Sequence, residues 1–474
     1  MKFCTITLGC KVNQYETQAI EGLLRDWGHE HKASGEGNDI CLINTCAVTA
    51  ESIRKSRQTI RRLKKLEPGA KIAVCGCYSQ LDENEVKKLG VDLIGGTTDR
   101  AGFAKKVDEL INSIGAAKGV LNSIDSKQGD GSSALYRHCG LDPQSTYIPC
   151  HPEPAKVSAF EELPPGAATN RTRALLKIQD GCNNYCTYCI VPHIRGQSRS
   201  LPLEKMAEYA KNLEKQGYKE IIITGIEISS YGKDFGSTVI AAPEPQSHCA
   251  PDKPNLITAI KTISTAAPKA RLHLGSLDPF ILTDGFITEL GKIPNLNNHF
   301  HLSLQSGCDE VLKRMGRKYT TKQALNSIKT IRNLFVDCGI TADLITGFPG
   351  ETEEEFTQTQ EFITKAEFTD MHIFPYSLRP GTKAADYPGQ IEKSIKKERA
   401  RRLTEKAEEM STRFKQKQIG KTVKVLIEQE KDGFSTGHST NYLEIRIKEK
   451  IKRNSIKNIK ITALKNNILQ GESV

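Results

Sequence analysis

The sequence predicts an α/β protein with three folded regions: an N-terminal parallel α/β domain, a (β/α) partial barrel and a small C-terminal β-barrel. In two long regions, short β-branched runs alternate with helical patterns, which is typical of parallel sheets. A stretch rich in Gly, Pro and Ser separates these regions, and a basic tail with strand-like alternation ends the chain. At 474 residues the chain is also too long for one ordinary domain.

The first predicted domain covers residues 1–118. Its strands are expected at residues 2–8, 39–44, 71–75 and 91–94, and its clearest helical patterns are Tyr15–Trp27 and Ala50–Leu66. Residues 119–172 show no sustained period, so they are predicted to be an irregular linker or insertion. A similar loop insertion is predicted at residues 234–254.

The second predicted domain, residues 173–412, is a barrel. Strand-like runs alternate with helices, and they read ALLKIQ, EIIITGI, ARLHLGS, NHFHLSLQ, ITADLITGF and DMHIFPYS. Six such units predict a full or partial (β/α) barrel, whose functional groups belong at the C-terminal ends of the strands. A charged helix is predicted at residues 396–418.

The tail, residues 413–474, concentrates positive charge. It holds 14 Lys and Arg residues against six Asp and Glu, a net +8 of the whole chain's +11. Three alternating runs, KTVKVLIEQ, NYLEIRIK and IKNIKITAL, predict a small β-barrel. Small basic barrels commonly bind RNA backbones, so we predict RNA binding, with a solubilising appendix as the alternative.

Composition excludes several classes of protein. A hydrophobic content of 38% is enough for real cores, and no apolar run approaches the ~20 residues of a membrane span. The start, MKFCTITLGC, lacks the apolar core of a signal peptide, so a cytoplasmic location is expected. Fourteen unevenly clustered cysteines in such a chain indicate metal binding rather than disulfides.

Three cysteines follow the first barrel strand with the spacing Cys-x₃-Cys-x₂-Cys: Cys182, Cys186 and Cys189. Three thiolates on one loop can bind three irons of a [4Fe–4S] cube and leave the fourth iron open for chemistry. Zinc would need a fourth ligand, for which His193 is the nearest candidate. We predict the iron–sulfur cluster, with zinc as the alternative.

This spacing, with the aromatic Tyr188 before the last cysteine, resembles the signature of radical S-adenosylmethionine (SAM) enzymes. The resemblance implies that SAM chelates the open iron through its amino and carboxylate groups and is cleaved to a 5′-deoxyadenosyl radical. It implies catalytic and metal-binding roles for the three cysteines. Cofactor-binding roles are implied for Tyr188 and for turns at two later strand ends, with Thr224, Gly225 and Glu227 in one and Asp343 in the other.

A second cysteine set lies in the N-terminal domain. Cys10, Cys46 and Cys77 each follow a predicted strand. Because the C-terminal ends of parallel strands meet at one edge of the sheet, the three can converge on a second cluster. Cys4, Cys41 and Cys75 lie inside the strands and are expected to be buried. The choice of Cys77 over Cys75 is the least certain of these assignments.

Both cysteine sets extend the resemblance to one subfamily, the methylthiotransferases. The matching segments are GCKVNQ, NTC, GCYSQ, GCNNYCTYCIVPHIRGQSRS, HLSLQSGCDEVLKRMGRKYT and FPYSLRPGT. The resemblance implies two [4Fe–4S] clusters, with the N-terminal cluster holding the sulfur. It also implies two roles for SAM, as radical source and as methyl donor, and a C-terminal RNA-binding barrel of the kind called TRAM. An electron donor such as a flavodoxin or ferredoxin and a sulfur donor are implied partners.

Polar residues near the cysteines are candidates for further contacts. We predict that Arg199 contacts the cofactor and Arg195 the substrate, with a surface role as an equal alternative. Lys11, Asn13 and Gln14 flank Cys10 and are predicted to line the substrate side.

The segment TLGCKVNQYET is most similar to the class that acts on N6-threonylcarbamoyladenosine in tRNA. The resemblance then implies addition of a methylthio group to C2 of that base at position 37, in the anticodon loop. The same chemistry on N6-isopentenyladenosine in tRNA or on a ribosomal-protein aspartate is the alternative. A non-catalytic, RNA-binding iron–sulfur protein is an alternative from a different class.

Overall fold

The computed structural model describes residues 1–124, 159–166, 171–235 and 253–474. The chain divides into two compact units, Met1–Pro154 and Ala155–Val474. Most of the two predicted insertions lies outside the described residues.

The first unit is built on a parallel five-stranded sheet with the order β2-β1-β3-β4-β5. Its elements are β1 (Lys2–Thr7), α1 (Lys11–Asp26), β2 (Glu30–His31), β3 (Ile40–Thr45), α2 (Ala50–Leu66), β4 (Lys71–Gly76), α3 (Cys77–Leu81), α4 (Glu83–Lys87), β5 (Leu93–Ile94) and α5 (Arg100–Ile124). The parallel α/β prediction is confirmed. The prediction missed β2, because a strand of two residues is too short to show a period. Helix α5 extends past the predicted domain end at residue 118.

Burial explains why these segments form a sheet with flanking helices. Every residue of β3 is buried, as expected for a central parallel strand with both faces covered. Helix α2 begins after Thr49, whose side chain accepts a hydrogen bond from the backbone N–H of Ser52, and it buries Ile60 and Leu63. The cap and the apolar stripe together fix this helix against the sheet.

The second unit begins with the predicted barrel. Its elements are β6 (Arg173–Asp180), α6 (Val191–Arg195), β7 (Arg199–Ser200), α7 (Leu203–Lys215), β8 (Glu220–Gly225), α8 (Leu256–Ala266), β9 (Arg271–Leu274), α9 (Asp284–Gly291), β10 (His299–Gln305), α10 (Asp309–Met315), α11 (Thr321–Leu334), β11 (Gly339–Thr346), α12 (Glu353–Ala366), β12 (Asp370–Pro375) and α13 (Lys393–Gln416). All six predicted strands and the charged helix are confirmed.

These strands form two sheets, with the orders β7-β6-β8-β9 and β10-β11-β12. Two isolated bridges, Leu272–Leu296 and Leu277–Leu302, join them. Within the described residues β12 pairs only with β11, so the barrel is partial and β12 is one of its edges. Capping boxes at Thr320 and Thr352 start α11 and α12. None of the described helices is long and apolar enough to cross a membrane.

The tail folds into a closed five-stranded barrel, as predicted, with the order β13-β14-β15-β17-β16. Its strands are β13 (Thr422–Lys431), β14 (Phe434–Ser439), β15 (Glu444–Ile447), β16 (Ile456–Lys465) and β17 (Ile468–Ser473). β14 and β17 were not predicted, because the sequences FSTGHS and ILQGES carry too few apolar residues to show a period of two.

This small barrel closes the base of the larger one. Tyr442 stacks on His299 with 4.8 Å between ring centroids and meets the ring of His273 edge-on at 4.7 Å. The Asn441 carbonyl lies so near Gly339, the first residue of β11, that a Cβ there would stand 2.4 Å from its oxygen. Since the N-terminal strand ends are covered in this way, the C-terminal ends are left for function.

Candidate active site

The cysteine loop leaves β6 through a glycine that no other residue could replace without movement. Gly181 has φ +69°, and a Cβ on it would lie 1.9 Å from the carbonyl oxygen of Gln197. The backbone N–H of Cys182 donates to the Gly196 carbonyl at 3.1 Å, and that of Cys189 donates to the Cys186 carbonyl at 2.9 Å. The loop is thereby folded back on itself, with its three cysteines at the C-terminal end of the strand.

Gln179 ties this loop to the turn after β8. Its side-chain amide donates to the carbonyls of Asp180 and Gly181 at 2.9 and 2.7 Å, and its carbonyl accepts from the backbone N–H of Glu227 at 2.8 Å. A Cβ on Gly225 would lie 2.9 Å from the Gln179 backbone oxygen. Two predicted site segments, the cysteine loop and Thr224–Glu227, are therefore held in contact.

A cavity of about 410 Å³ opens beside the cysteines. It is lined by residues from the cysteine loop, from the turns after β8 and β9 and from the end of α10, and they include Cys186, Glu227, Ser229, Ser230, Asp278 and Arg317. A second cavity, of about 330 Å³, lies at the base of the barrel near Asp337 and Cys338. Only the first lies at the catalytic end of a (β/α) barrel.

The first cavity combines buried carboxylates with one buried guanidinium. Arg317 donates to Asp278 at 3.0 Å and to the Ser303 carbonyl at 2.8 Å, and its Nη1 lies 3.4 Å from the sulfur of Cys186. Burial, assisted by Asp278, raises the pKa of Glu227 to about 7. Such a set of opposite charges fits a zwitterionic ligand better than an apolar one.

Burial likewise raises the pKa of Cys182 and of Cys189 to about 12. Without a bound cation these thiols stay protonated at neutral pH. A metal reverses this, because its charge favours the thiolate form.

The distances between the cysteine sulfurs distinguish an iron–sulfur cluster from a single zinc ion. Ligands held about 2.3 Å from a single zinc ion lie at most about 4.6 Å apart. In the described parts of the chain, only His301, Asp343 and His372 bring three such ligand atoms within 4.8 Å of one another. Neither cysteine set is that tight, whereas a cube gives each thiolate its own iron. The donor set thus fits a cluster rather than a single ion.

The pKa of Glu227 leads to a prediction about cofactor binding. The carboxylate form is the one that accepts hydrogen bonds from the N–H groups of the SAM amino group, so SAM affinity should decrease as the pH falls through about 7. We expect the Kd for SAM to be roughly tenfold higher at pH 6 than at pH 8. Equilibrium dialysis of SAM with the cluster-loaded chain measures this. Glu227→Gln should bind weakly at both pH values, and a variant that retains the full pH dependence would contradict the assignment.

The two arginines predicted to contact substrate and cofactor are both buried. Arg195 is 1% exposed, and its guanidinium donates to Asp180 at 3.1 Å. Arg199 donates to the carbonyls of Arg195 and Gln197, both at 2.8 Å. Lys177 also contacts Asp180, at 3.1 Å. These contacts stabilise the cysteine loop, and contact of either arginine with substrate or cofactor stays a prediction.

The predicted cofactor contact of Asp343 also stays a prediction. The Asp343 carboxylate points to His301 and His372, each 3.1 Å away, and does not line the cavity beside the cysteines. Thr224 is buried at the end of β8, and Tyr188 packs against a cluster that includes Phe348 and Met315. Neither of these two side chains lines the cavity, whereas Glu227 of the same turn does.

Strand register brings the N-terminal cysteines together. Thr7 pairs with Asn44, and Thr45 pairs with Gly76. The chain continues from these paired ends to Cys10, Cys46 and Cys77. Cys75, by contrast, is fully buried in the core with Ala73 and Phe103, and Cys4 and Cys41 contact each other at 2.8 Å inside the sheet. Their burial agrees with the expected structural role.

Two glycines precede cysteines of this set with the same left-handed backbone. Gly9 has φ +103°, and a Cβ there would lie 3.1 Å from the Cys46 sulfur. Gly76 has φ +107°, and its Cβ would stand 2.4 Å from both the Asn44 side-chain oxygen and the Thr45 carbonyl oxygen. Close packing at both positions leaves room for nothing larger than glycine.

Asn13 is fully buried beside the C-terminal ends of β1 and β3. Its amide donates to the carbonyls of Leu8 and Thr45 at 2.9 and 3.0 Å. It therefore holds the strand ends together and is not placed for the predicted substrate contact. Lys11 is exposed and Gln14 half-buried, so the substrate-side prediction for these two stands.

Several cavity residues were missed by sequence reasoning. Arg317 belongs to the MGRKY segment that the resemblance already covered, so a signal was available. No sequence signal indicated Asp278, Ser229 and Ser230, because only the folding of the barrel brings them close to Cys186.

Two family profiles match the chain. One, described as the radical SAM superfamily, covers residues 176–363, and the other, described as uncharacterized protein family UPF0004, covers residues 2–96. Together with the partial barrel and its cysteine loop, the first match defines a radical SAM enzyme, which uses an iron–sulfur cluster and SAM.

Curated relatives define the family more closely. The chain is 34% identical to the threonylcarbamoyladenosine tRNA methylthiotransferase MtaB of Bacillus subtilis, over 93% of this chain and 89% of the relative. It is 35% identical to the MtaB of Thermotoga maritima, over 89% and 85%. A tRNA-2-methylthio-N(6)-dimethylallyladenosine synthase of Pelotomaculum thermopropionicum is 30% identical, over 92% and 90%. The chain belongs to the MtaB-like family of radical SAM methylthiotransferases.

A solved structure confirms the fold at lower similarity. The radical SAM methyltransferase TsrM of Kitasatospora setae, solved with cobalamin and a [4Fe–4S] cluster, superposes with a TM-score of 0.52. It is 14% identical, over 81% of this chain and 74% of that one.

Proposed function

We propose that this protein adds a methylthio group to C2 of N6-threonylcarbamoyladenosine at position 37 of tRNA, using two [4Fe–4S] clusters. The observation that carries the proposal is the pair of cysteine sets, each gathered at the C-terminal edge of a parallel sheet. Relatives that act on tRNA according to their names, at 34–35% identity, support the substrate.

The two cysteine sets have separate roles in this proposal. Cys182, Cys186 and Cys189 would hold the radical cluster, and Cys10, Cys46 and Cys77 the cluster that supplies sulfur. The clusters and SAM supply the one-electron chemistry needed to break an unactivated C–H bond, which no general base deprotonates easily. An external electron donor such as a flavodoxin or ferredoxin and an external sulfur donor complete the reaction.

The chain's own residues bind and orient SAM beside the first set. The Glu227 carboxylate would accept hydrogen bonds from the N–H groups of the SAM amino group, and Arg317 would provide positive charge for the SAM carboxylate. Gln179 keeps the turn that carries Glu227 against the cysteine loop. Lys11 and Gln14 face the substrate beside Cys10, and the basic C-terminal barrel binds the tRNA backbone.

Nucleoside mass spectrometry of total tRNA from cells with and without this gene tests the reaction and the substrate together. We expect 2-methylthio-N6-threonylcarbamoyladenosine to disappear with the gene, while N6-threonylcarbamoyladenosine accumulates. A gene for an unrelated tRNA-modifying enzyme provides the control deletion.

Two other outcomes would change the proposal in different ways. Loss of the isopentenyl analogue would keep the chemistry and replace the substrate, in agreement with the relatives named dimethylallyladenosine synthases. No change in either nucleoside would contradict the tRNA substrate. It would favour a ribosomal-protein aspartate as the substrate, or a protein without catalytic activity.

A further inference from the structure

A row of polar side chains crosses the inner face of the barrel strands β10, β11 and β12. Asp343 on β11 pairs in register with His372 on β12, and His301 on β10 lies beside them. One oxygen of the Asp343 carboxylate is 3.1 Å from Nε2 of His301, and the other is 3.1 Å from Nδ1 of His372. The carboxylate thus lies between two imidazoles and holds one on each side.

This row continues down to the base of the barrel through hydrogen bonds. Nδ1 of His301 lies 2.7 Å from the Thr341 hydroxyl, which is 3.1 Å from Nε2 of His299. Nδ1 of His299 in turn lies 3.0 Å from Nε2 of His273. His273 lies 3.5 Å from Glu220, which is fully buried. Each ring is therefore oriented by its neighbour, as in the networks that position functional histidines.

Exposure increases along the row toward the edge of the barrel. The side chain of His273 is 2% exposed, that of His301 16%, that of Asp343 25% and that of His372 62%. This polar network of oriented rings includes an exposed imidazole, that of His372, and most of that ring is accessible to a ligand. The ring lies on β12, the edge strand of the partial barrel.

An exposed aromatic ring stands next to this imidazole. Phe374 follows His372 by two residues on β12, so both point to the same face of the sheet. Phe374 is 46% exposed, and its ring centroid is 6.4 Å from that of His372. Aromatic rings paired with hydrogen-bonding side chains are what proteins use to hold an unstacked nucleobase.

A metal ion is the competing occupant, because His301, Asp343 and His372 could supply three ligands. The contacts favour hydrogen bonding, since the two imidazoles meet different oxygens of one carboxylate. Ligands of a zinc ion at about 2.0–2.2 Å would instead converge on one point. The imidazoles also hold the pKa of Asp343 at about 2 against the effect of burial, so the ionised carboxylate accepts a hydrogen bond from each ring.

We propose that His372 and Phe374 form the site that reads the substrate adenine, with Phe374 stacking on the base and His372 hydrogen-bonding to its N6 substituent. The inference rests on the proposed function and deepens it. A threonylcarbamoyl group offers N–H, carbonyl, hydroxyl and carboxylate partners, whereas an isopentenyl group offers none. Once the bound base covers His372, an apolar substituent would leave the imidazole without a hydrogen-bond partner, and such a substrate is disfavoured.

Binding of three synthetic anticodon stem-loops to the cluster-loaded chain tests this. They differ only at position 37, which carries adenosine, N6-threonylcarbamoyladenosine or N6-isopentenyladenosine. The wild type should bind the threonylcarbamoyl form tightest. His372→Ala should weaken that binding at least about tenfold and leave the affinity for unmodified RNA unchanged.

Phe374 should behave differently, because stacking does not depend on the substituent. Phe374→Leu is expected to weaken binding of all three stem-loops about tenfold, while Phe374→Tyr retains it. Val336→Ala, at an exposed position 79% accessible, is the matched control and should change nothing.

The possible failures are distinguishable. A wild type that prefers the isopentenyl stem-loop would overturn the proposed substrate and, with it, the role of His372. A wild type that prefers the threonylcarbamoyl form, together with a His372→Ala variant that keeps this preference, would overturn the inference alone. One zinc ion per chain, bound from added zinc and lost in His372→Ala, would replace the base-reading site with a metal site.

Discussion

Replacing Cys186 with alanine is expected to abolish the release of 5′-deoxyadenosine, whereas replacing Cys46 should leave that release intact and stop methylthio insertion. The reason is that the two sets belong to different compact units of the chain. Cys186 lines the cavity that holds Glu227 and Arg317, while Cys46 lies at the sheet edge of the other compact unit. Loss of one thiolate opens a second iron of its cluster and removes the geometry that the chemistry needs.

Both products must be quantified from the same reaction, with 5′-deoxyadenosine and the methylthiolated nucleoside measured by mass spectrometry. Cys338→Ala is the control, because Cys338 is a buried cysteine at the base of the barrel, at the opposite end of the barrel from the cysteine loop. It should retain both activities. Intact product from Cys46→Ala would refute the assignment of the second cluster, and 5′-deoxyadenosine from Cys186→Ala would refute that of the first.

Sequence alone was sufficient where periodicity and spacing carry the information. Every strand predicted for the N-terminal sheet and for the partial barrel was found, because buried parallel strands are β-branched runs between turn residues. The same logic placed Cys10, Cys46 and Cys77 at neighbouring strand ends. Register then accounts for the choice of Cys77, since Cys75 is still inside β4 and points into the core.

Sequence was insufficient wherever burial decides what a polar side chain does. Arg195 and Asn13 stand beside cysteines in the chain, and their position suggested substrate contact. The fold instead buries both and engages them with Asp180 and with backbone carbonyls. Conversely, His301 and His372 come from strands 71 residues apart in the chain, and only the sheet register reveals that they share Asp343. No local pattern contains such information.

Replacing Gly76 with alanine should remove one of the two proposed clusters and leave the other. At φ +107° the added methyl group would stand 2.4 Å from the Asn44 side-chain oxygen and from the Thr45 carbonyl oxygen. Relief of that clash must move the end of β4, and with it Cys77, away from Cys46. We expect iron to fall from about eight to about four atoms per chain. Release of 5′-deoxyadenosine should persist, and methylthio product should be lost.

Gly28→Ala is the matched control, because it separates local packing from backbone strain. Gly28 also has a positive φ, +88°, and lies in the same unit, but nothing stands within 4 Å of its added methyl group. This variant should lose about 1 kcal/mol of unfolding free energy and retain about eight iron atoms per chain.

Equal iron loss in both variants would show that backbone strain in this unit is sufficient to remove the cluster. Full iron in Gly76→Ala would show that Cys77 is not a ligand. A loss confined to Gly76→Ala identifies the β4 end as the support of the third thiolate, since only there does the methyl group reach Asn44 and Thr45.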